Sequence, residues 1–139
     1  MAITLKIVTP VAKVYNETVA SVVLPTTQGE VGILPGHIPL LTMLEAGELQ
    51  VTTQGGSLEF LAVDKGFAEV KSDQVTVVTE AAIQVEEIDM SEVEDARARA
   101  EKALEQAKEE DLDPDAIEQL EAQMRFAMAQ QMAKARKKN

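Results

Sequence analysis

The chain carries 139 residues and a formal net charge of −11, so a nucleic acid or an anionic membrane surface would repel it except at the C-terminal basic cluster of Lys134, Arg136, Lys137 and Lys138. It has no cysteine, which excludes disulfides, thiolate metal sites and cysteine nucleophiles. Hydrophobic residues reach 45% while aromatics supply only 3%, so the core has to be built from Val, Leu, Ile, Ala and Met, in one domain or a compact domain with an appendage.

The opening run from Met1 to Lys6 lacks the basic stretch and long apolar segment of a signal peptide. No apolar run approaches the roughly 20 residues of a membrane span, so a soluble protein with no direct membrane insertion is expected. Residues 1–87 form the first predicted domain. Runs rich in Val, Leu, Ile and Thr, punctuated by Gly and Pro, predict about ten short strands there. These are Ala2–Val8, Val11–Tyr15, Thr18–Leu24, Val31–Leu34, Leu40–Leu44, Glu48–Thr53, Ser57–Val63, Phe67–Lys71, Gln74–Thr79 and Ala82–Val85. Several alternate in polarity: Leu49 and Val51 against Glu48, Gln50 and Thr52, and Val75 and Val77 against Thr76. Gly55-Gly56, Asp64-Lys65-Gly66 and Ser72-Asp73 read as tight turns. The expected fold is a ten-stranded antiparallel β-sandwich or flattened barrel.

Residues 88–139 form the second predicted domain. Glycine is absent there, and Ala, Glu, Gln, Lys and Met dominate, which predicts an antiparallel two-helix hairpin. Ser91 and Glu94 make a capping box that opens a helix to Lys108, with Val93, Ala96, Ala100, Ala103, Leu104 and Ala107 on its apolar side. The run Glu109 to Leu112 interrupts the pattern. Asp113 as N-cap and Pro114 at the first helical position restart it, and Ile117, Leu120, Met124, Ala127 and Met128 share one face. At about 25 cal/mol per Å² of buried apolar surface, an alanine stripe holds such a hairpin weakly, which would let it detach when another surface competes. An alanine-rich coiled coil without switching is the plainer alternative.

The most distinctive segment is Gly29-Glu30-Val31-Gly32-Ile33-Leu34-Pro35-Gly36-His37-Ile38-Pro39-Leu40-Leu41. Its glycines allow sharp turns, and Pro35 and Pro39 stiffen the backbone around them, giving a rigid exposed corner suited to a partner. His37 is the sole histidine. As a catalytic base it would need a nucleophile and an orienting acid that no motif supplies, whereas a packed or interface histidine needs neither. No metal-ligand cluster is present, so neither a catalytic nor a metal site is expected.

This segment resembles the signature of the epsilon subunits of F-type ATP synthases. The opening Leu5-Lys6-Ile7-Val8-Thr9-Pro10, the Gly47-Glu48-Leu49 turn, the Gly66–Val70 strand and the closing hairpin follow in the order such chains show. The resemblance implies a non-catalytic central-stalk subunit bound to the gamma subunit and resting on the c-ring, peripheral on the cytoplasmic face of a bacterial membrane or its organelle equivalent. It implies that Glu30, by itself a solvated turn carboxylate, faces the polar loops of the c-ring, and that His37, Leu41 and Thr42 face gamma. It also implies that the hairpin can extend toward the beta subunit and block ATP hydrolysis. Arg125, Lys134, Arg136, Lys137 and Lys138 would supply the positive charge; a solubilising helix end is the alternative for these residues.

Some bacterial members of that family bind ATP through an Ile/Leu-Asp-x-x-Arg-Ala motif with arginines on the second helix. Here Glu94 and Arg97 fall in a partial match, Val93-Glu94-Asp95-Ala96-Arg97-Ala98, and Arg125 stands alone on the second helix. A triphosphate needs several cationic or amide donors at once, so weak ATP binding or none is expected, and no cofactor. An ATP-sensing regulator and an unrelated β-sandwich adaptor are the competing readings.

Overall fold

The computed structural model describes residues 2–110 and 113–137. Asp111, Leu112 and Lys138, and the side chains of Arg136 and Lys137, lie outside the described residues. Nine strands precede the helices: β1 (Ile3–Val8), β2 (Lys13–Thr26), β3 (Gly29–Ile33), β4 (Leu40–Leu44), β5 (Gly47–Thr53), β6 (Leu58–Val63), β7 (Gly66–Lys71), β8 (Gln74–Thr79) and β9 (Ala82–Gln84). A 3-10 turn, Val85–Glu87, leads into α1 (Met90–Glu109) and α2 (Pro114–Lys137).

The strand count is nine rather than ten because Val11–Tyr15 and Thr18–Leu24 do not separate. They belong to one strand of 14 residues. Asn16 and Glu17, polar and exposed, stay extended because they pair with Lys6 and Leu5 of β1. This long strand joins two layers. Its first half pairs with β1, and its second half pairs with β3 and β5. The remaining order runs β1-β8-β7-β4 on one side and β5-β6-β9 on the other. The pairing is antiparallel except between β1 and β8, which run parallel.

Ile3, Leu5, Ile7, Val22, Leu24, Ile33, Leu44, Leu49, Val51, Leu61, Val63, Val70, Val75 and Val77 fill the space between the layers. Each comes from a strand whose alternate residues point the other way. Tyr15 closes one edge, donating its hydroxyl to Glu59 Oε1 at 2.9 Å. Burial, reinforced by Glu59, makes that phenol harder to ionise.

The Ser72-Asp73 turn carries left-handed backbone at both residues, with φ of 51° and 59°, as a two-residue hairpin between twisted strands requires. Gly66 has a different role. It lies between Leu44 and Thr79 across three strands, and a Cβ there would run into the backbone of Val78 and Thr79.

The first helix starts earlier than the capping box suggests. Asp89, not Ser91, is the N-cap, and its carboxylate accepts from the N–H groups of Ser91 and Glu92. The second starts as expected, with Asp113 Oδ1 accepting from Asp115 N at 3.1 Å. The helices pack on each other, and α2 lies across β5 and β6. A second, smaller core forms there from Ala62, Val85, Ile88, Val93, Ala127 and Ala133, flanked by Phe60, Ile83, Met90 and Phe126. Leu61, Ala62 and Val63 are consecutive yet all buried, because Ala62 meets the helices while its neighbours face the sandwich interior.

Gly66→Ala is expected to lower stability by about 3 kcal/mol, since backbone and not a movable side chain blocks the new methyl. Thermal or urea unfolding measures this, and a loss no larger than that of an ordinary surface substitution would contradict the close approach.

Candidate functional site

The two outer faces of the sandwich differ. The hairpin covers β5 and β6. Among the described residues the face of β4, β7, β8 and β1 has no such cover, and it is apolar at its centre. Met43 stands opposite Phe67, Phe67 opposite Val78, and Val78 beside Val8, one row across four strands. Leu41, Glu69, Thr76 and Lys6 make the next row and bring one charge of each sign to its rim. Leu41 is 69% exposed and Met43 61%, with Phe67 at 42%. Strand alternation puts them outside because Leu40, Thr42 and Leu44 take the inward positions on β4.

The corner Leu34–Pro39 leads into β4 at one end of this face. Pro35 sets φ for the first central position of a turn, and Gly36 supplies φ of 86° at the second. His37 N closes the turn onto Leu34 O at 3.1 Å. The His37 ring nitrogen Nδ1 lies 2.7 Å from Ile38 O, so one of its two ring nitrogens is engaged within its own loop. Leu34 and Ile38 are 63% and 74% exposed.

On the other face, polar groups supplement the alanine packing. Lys134 Nζ donates to Val85 O at 3.2 Å, tying α2 to the 3-10 turn. Arg97 reaches from α1 to Gln131 Oε1 on α2 at 2.8 Å, and pairs with Glu101 at 3.3 Å. One groove of about 340 Å³ lies between α2 and the sandwich, with Glu30, Glu48 and Pro25 on one wall and Arg125, Met128 and Met132 on the other. A second, of about 430 Å³, has Asp64 on the sandwich side and Arg99, Phe126 and Gln130 among the helical residues. Burial raises the Asp64 carboxyl above the usual carboxylate range. The Lys65 N–H and ammonium and the Arg125 guanidinium oppose that rise, and Glu80 adds to it.

Residues 2–85 match the family described as ATP synthase, Delta/Epsilon chain, beta-sandwich domain. The ATP synthase epsilon chain of Halalkalibacterium halodurans is 45% identical over 107 residues, which cover 77% of this chain and 80% of that one. The epsilon chain of Ligilactobacillus salivarius is 40% identical over 126 residues, covering 91% and 90%. This chain belongs to the ATP synthase epsilon-chain family. It is thus a non-catalytic subunit of that complex, which sets aside the unrelated adaptor. In the cryo-EM structure of the Euglena gracilis mitochondrial ATP synthase, OSCP/F1/c-ring in rotational state 1, one chain matches with a TM-score of 0.74 and 28% identity, over 95% of this chain and 81% of that chain. A chain of the Tetrahymena thermophila mitochondrial ATP synthase central stalk/c-ring shares the fold at a TM-score of 0.52 and 14% identity, over 63% and 69%.

In this epsilon chain the expected interface residues do not form one patch. Leu41 is on the bare face and His37 is in the adjoining corner. Thr42 is half-buried on the inward side of β4. Glu30 is on β3 beside Pro25, in the groove under α2 that also holds Arg125. The nucleotide candidates do not converge either. Glu94 is exposed on α1, Arg97 bridges to α2, and Arg125 lies 3.9 Å from Glu121. Of the basic residues described in full, Lys134 is engaged in the docked hairpin and Arg125 is exposed. Met43 and Phe67 were missed by sequence reasoning, although Met43 follows Leu41 at strand period. Asp64 and Arg99 were missed as well, and no local pattern announces them, because a fold contact alone brings them to one groove.

An acid harder to ionise in the folded state supports folding while it keeps its proton. That support is complete below about pH 4 and is lost as pH rises through the raised value. Asp64→Asn keeps the acceptor without the charge. It is expected to melt above the parent at pH 7 and to lose that margin at pH 4. Equal margins at both pH values would contradict the burial cost.

Proposed function

We propose that this epsilon chain is a rotor element of an ATP synthase, with its β-sandwich docked on the gamma subunit, its Glu30 end turned to the polar loops of the c-ring, and its hairpin acting as a releasable brake on ATP hydrolysis. The observation that carries the reading is the bare apolar face around Leu41, Met43 and Phe67, with Leu34 and Ile38 also exposed in the loop that leads into β4. Contiguous exposed apolar surface of this kind marks an interaction site. The described residues contain no helix long and apolar enough to cross a membrane. A peripheral place on the cytoplasmic side of a bacterial inner membrane, reached through the complex, fits the proposal.

The brake rests on the contrast between the two cores. The sandwich interior is Ile, Val and Leu, whereas α2 buries Ala122, Ala127, Ala129 and Ala133. Each such methyl contributes on the order of 0.8 kcal/mol, against about 1.5–3 kcal/mol for a large aliphatic side chain. Released, α2 would carry Arg125 and Lys134, with Arg136, Lys137 and Lys138, toward an acidic segment of the beta subunit.

Nucleotide sensing fits less well. The groove at the start of α1 is lined by Glu87, Asp89, Glu92 and Asp95 with Arg99 as its cation, a field that repels a triphosphate. Calorimetry with magnesium and ATP is expected to show no binding tighter than about 1 mM, roughly −4 kcal/mol; tighter binding would revive the sensor reading.

The proposal is tested by titrating this protein into an alpha–beta–gamma assembly while following ATP hydrolysis. Full-length protein should bind and inhibit, and the form truncated after Glu87 should bind without inhibiting. Met43→Glu should weaken binding about tenfold or more by placing a charge at the centre of the contact, with thermal stability unchanged. Binding by Met43→Glu at parental affinity would place gamma elsewhere, and inhibition by the truncated form would remove the helices from the brake.

A further inference from the structure

The corner Leu34–Pro39 lies between β3 and β4, outside both ladders. It nevertheless displays Leu34 and Ile38, both exposed, in the loop that leads to Leu41. Its own turn bond, His37 N to Leu34 O, fixes the local bend but not the angle at which the corner leaves the sheet. Among the described residues, one side-chain hydrogen bond reaches it from elsewhere in the fold. Asp73 Oδ1 accepts from Gly36 N at 2.7 Å, across 37 residues of sequence. That is short for an N–H···O bond and in the range of bonds to a carboxylate.

Asp73 is itself held on both sides. Its backbone oxygen accepts from Thr4 N at 2.9 Å, which joins the β7–β8 turn to the start of β1. Its φ of 59° follows a φ of 51° at Ser72. Glycine or asparagine fits that left-handed turn more readily, and aspartate tolerates it because its short side chain can bond locally. Here the carboxylate is not used within its own turn. It bonds the Gly36 N–H, in a corner whose φ of 86° also calls for glycine. Two turns that each favour a permissive residue thus meet through one hydrogen bond, and the pair lies at the end of the sheet where β4 begins and β7 turns into β8.

We propose that Asp73 is a positioning residue for the docking face: by accepting the Gly36 N–H it holds the Leu34–Pro39 corner in the shape that presents Leu34 and Ile38 to the gamma subunit. This rests on the reading of that face as the gamma-binding surface. The benefit lies in pre-organisation, because a corner already ordered in the free protein loses less freedom on binding.

Asp73→Gly removes the acceptor while suiting the left-handed turn, and Asp73→Asn keeps an acceptor oxygen at the same place. Both variants, full length, are compared with the parent for affinity to the alpha–beta–gamma assembly, for thermal stability, and for exchange of the Gly36 amide by NMR. Asp73→Gly is expected to exchange the Gly36 amide faster and to bind about tenfold more weakly, the scale of ordering a few groups on binding, while its melting temperature stays near the parent's because glycine suits the left-handed turn. Asp73→Asn is expected to stay within about threefold of the parent, since it retains the bond in neutral form. A merely structural role would lower the melting temperature of Asp73→Gly. Parental affinity or parental Gly36 exchange in Asp73→Gly overturns the inference alone. Failure of the parent itself to bind overturns the docking reading and this inference with it.

Discussion

Everything in this molecule depends on aliphatic packing between the two layers of the sandwich. With almost no aromatic volume available, the interior is filled by close-set Ile, Val and Leu from strands that supply every second residue. That demand fixes register, because a slip of one residue would turn each strand inside out. It also decides what faces outward. Once Leu40, Thr42 and Leu44 point in, Leu41 and Met43 must point out. Once Leu61 and Val63 point in, Ala62 must meet whatever lies on the other side. Gly66 lets β8 come close enough for the packing to close. The bare apolar face and the hairpin seat are therefore consequences of one interior.

The two outer faces solve the same problem differently. Behind β5 and β6 the chain supplies its own cover, a hairpin of small side chains held by alanine contacts, the Lys134 bond to Val85 O and the Arg97 bond to Gln131. Those polar bonds are partly exposed, so water competes for them and each adds only about 1 kcal/mol. Over β4, β7, β8 and β1 the described residues supply no such cover, and larger side chains remain in solvent. A subunit permanently bound on one side and reversibly closed on the other would be built in this way. Lys134 illustrates the economy of the arrangement, since the cation that pins the docked helix is also one that a released helix would present.

Much of this was legible in the sequence. The change from strand period to helix period near residue 88, the Asp113-Pro114 restart and the Gly/Pro corner are local signals, and the structure carries all of them. The errors came where a partner strand or a tertiary contact decides. Asn16 and Glu17 fall between two predicted strands until β1 is there to pair with them. Asp89 competes with Ser91 for the same helix start and prevails because its carboxylate reaches two N–H groups at once. The parallel pairing of β1 with β8 depends on a closure that no local pattern encodes. The family resemblance, stated on the corner segment, identified the chain but could not place its side chains. Thr42 faces inward, and Glu30 and Arg125 share a groove that neither the motif nor the helix pattern predicts.

The most direct test is hydrogen–deuterium exchange of the full-length protein, free and bound to an alpha–beta–gamma assembly, under conditions that hold the hairpin docked. The account predicts new protection in the corner 34–39 and along β4 and β7, with β5 and β6 unchanged beneath the helices. Protection confined to β5, β6 and α2, with the corner exchanging as in the free protein, would contradict it.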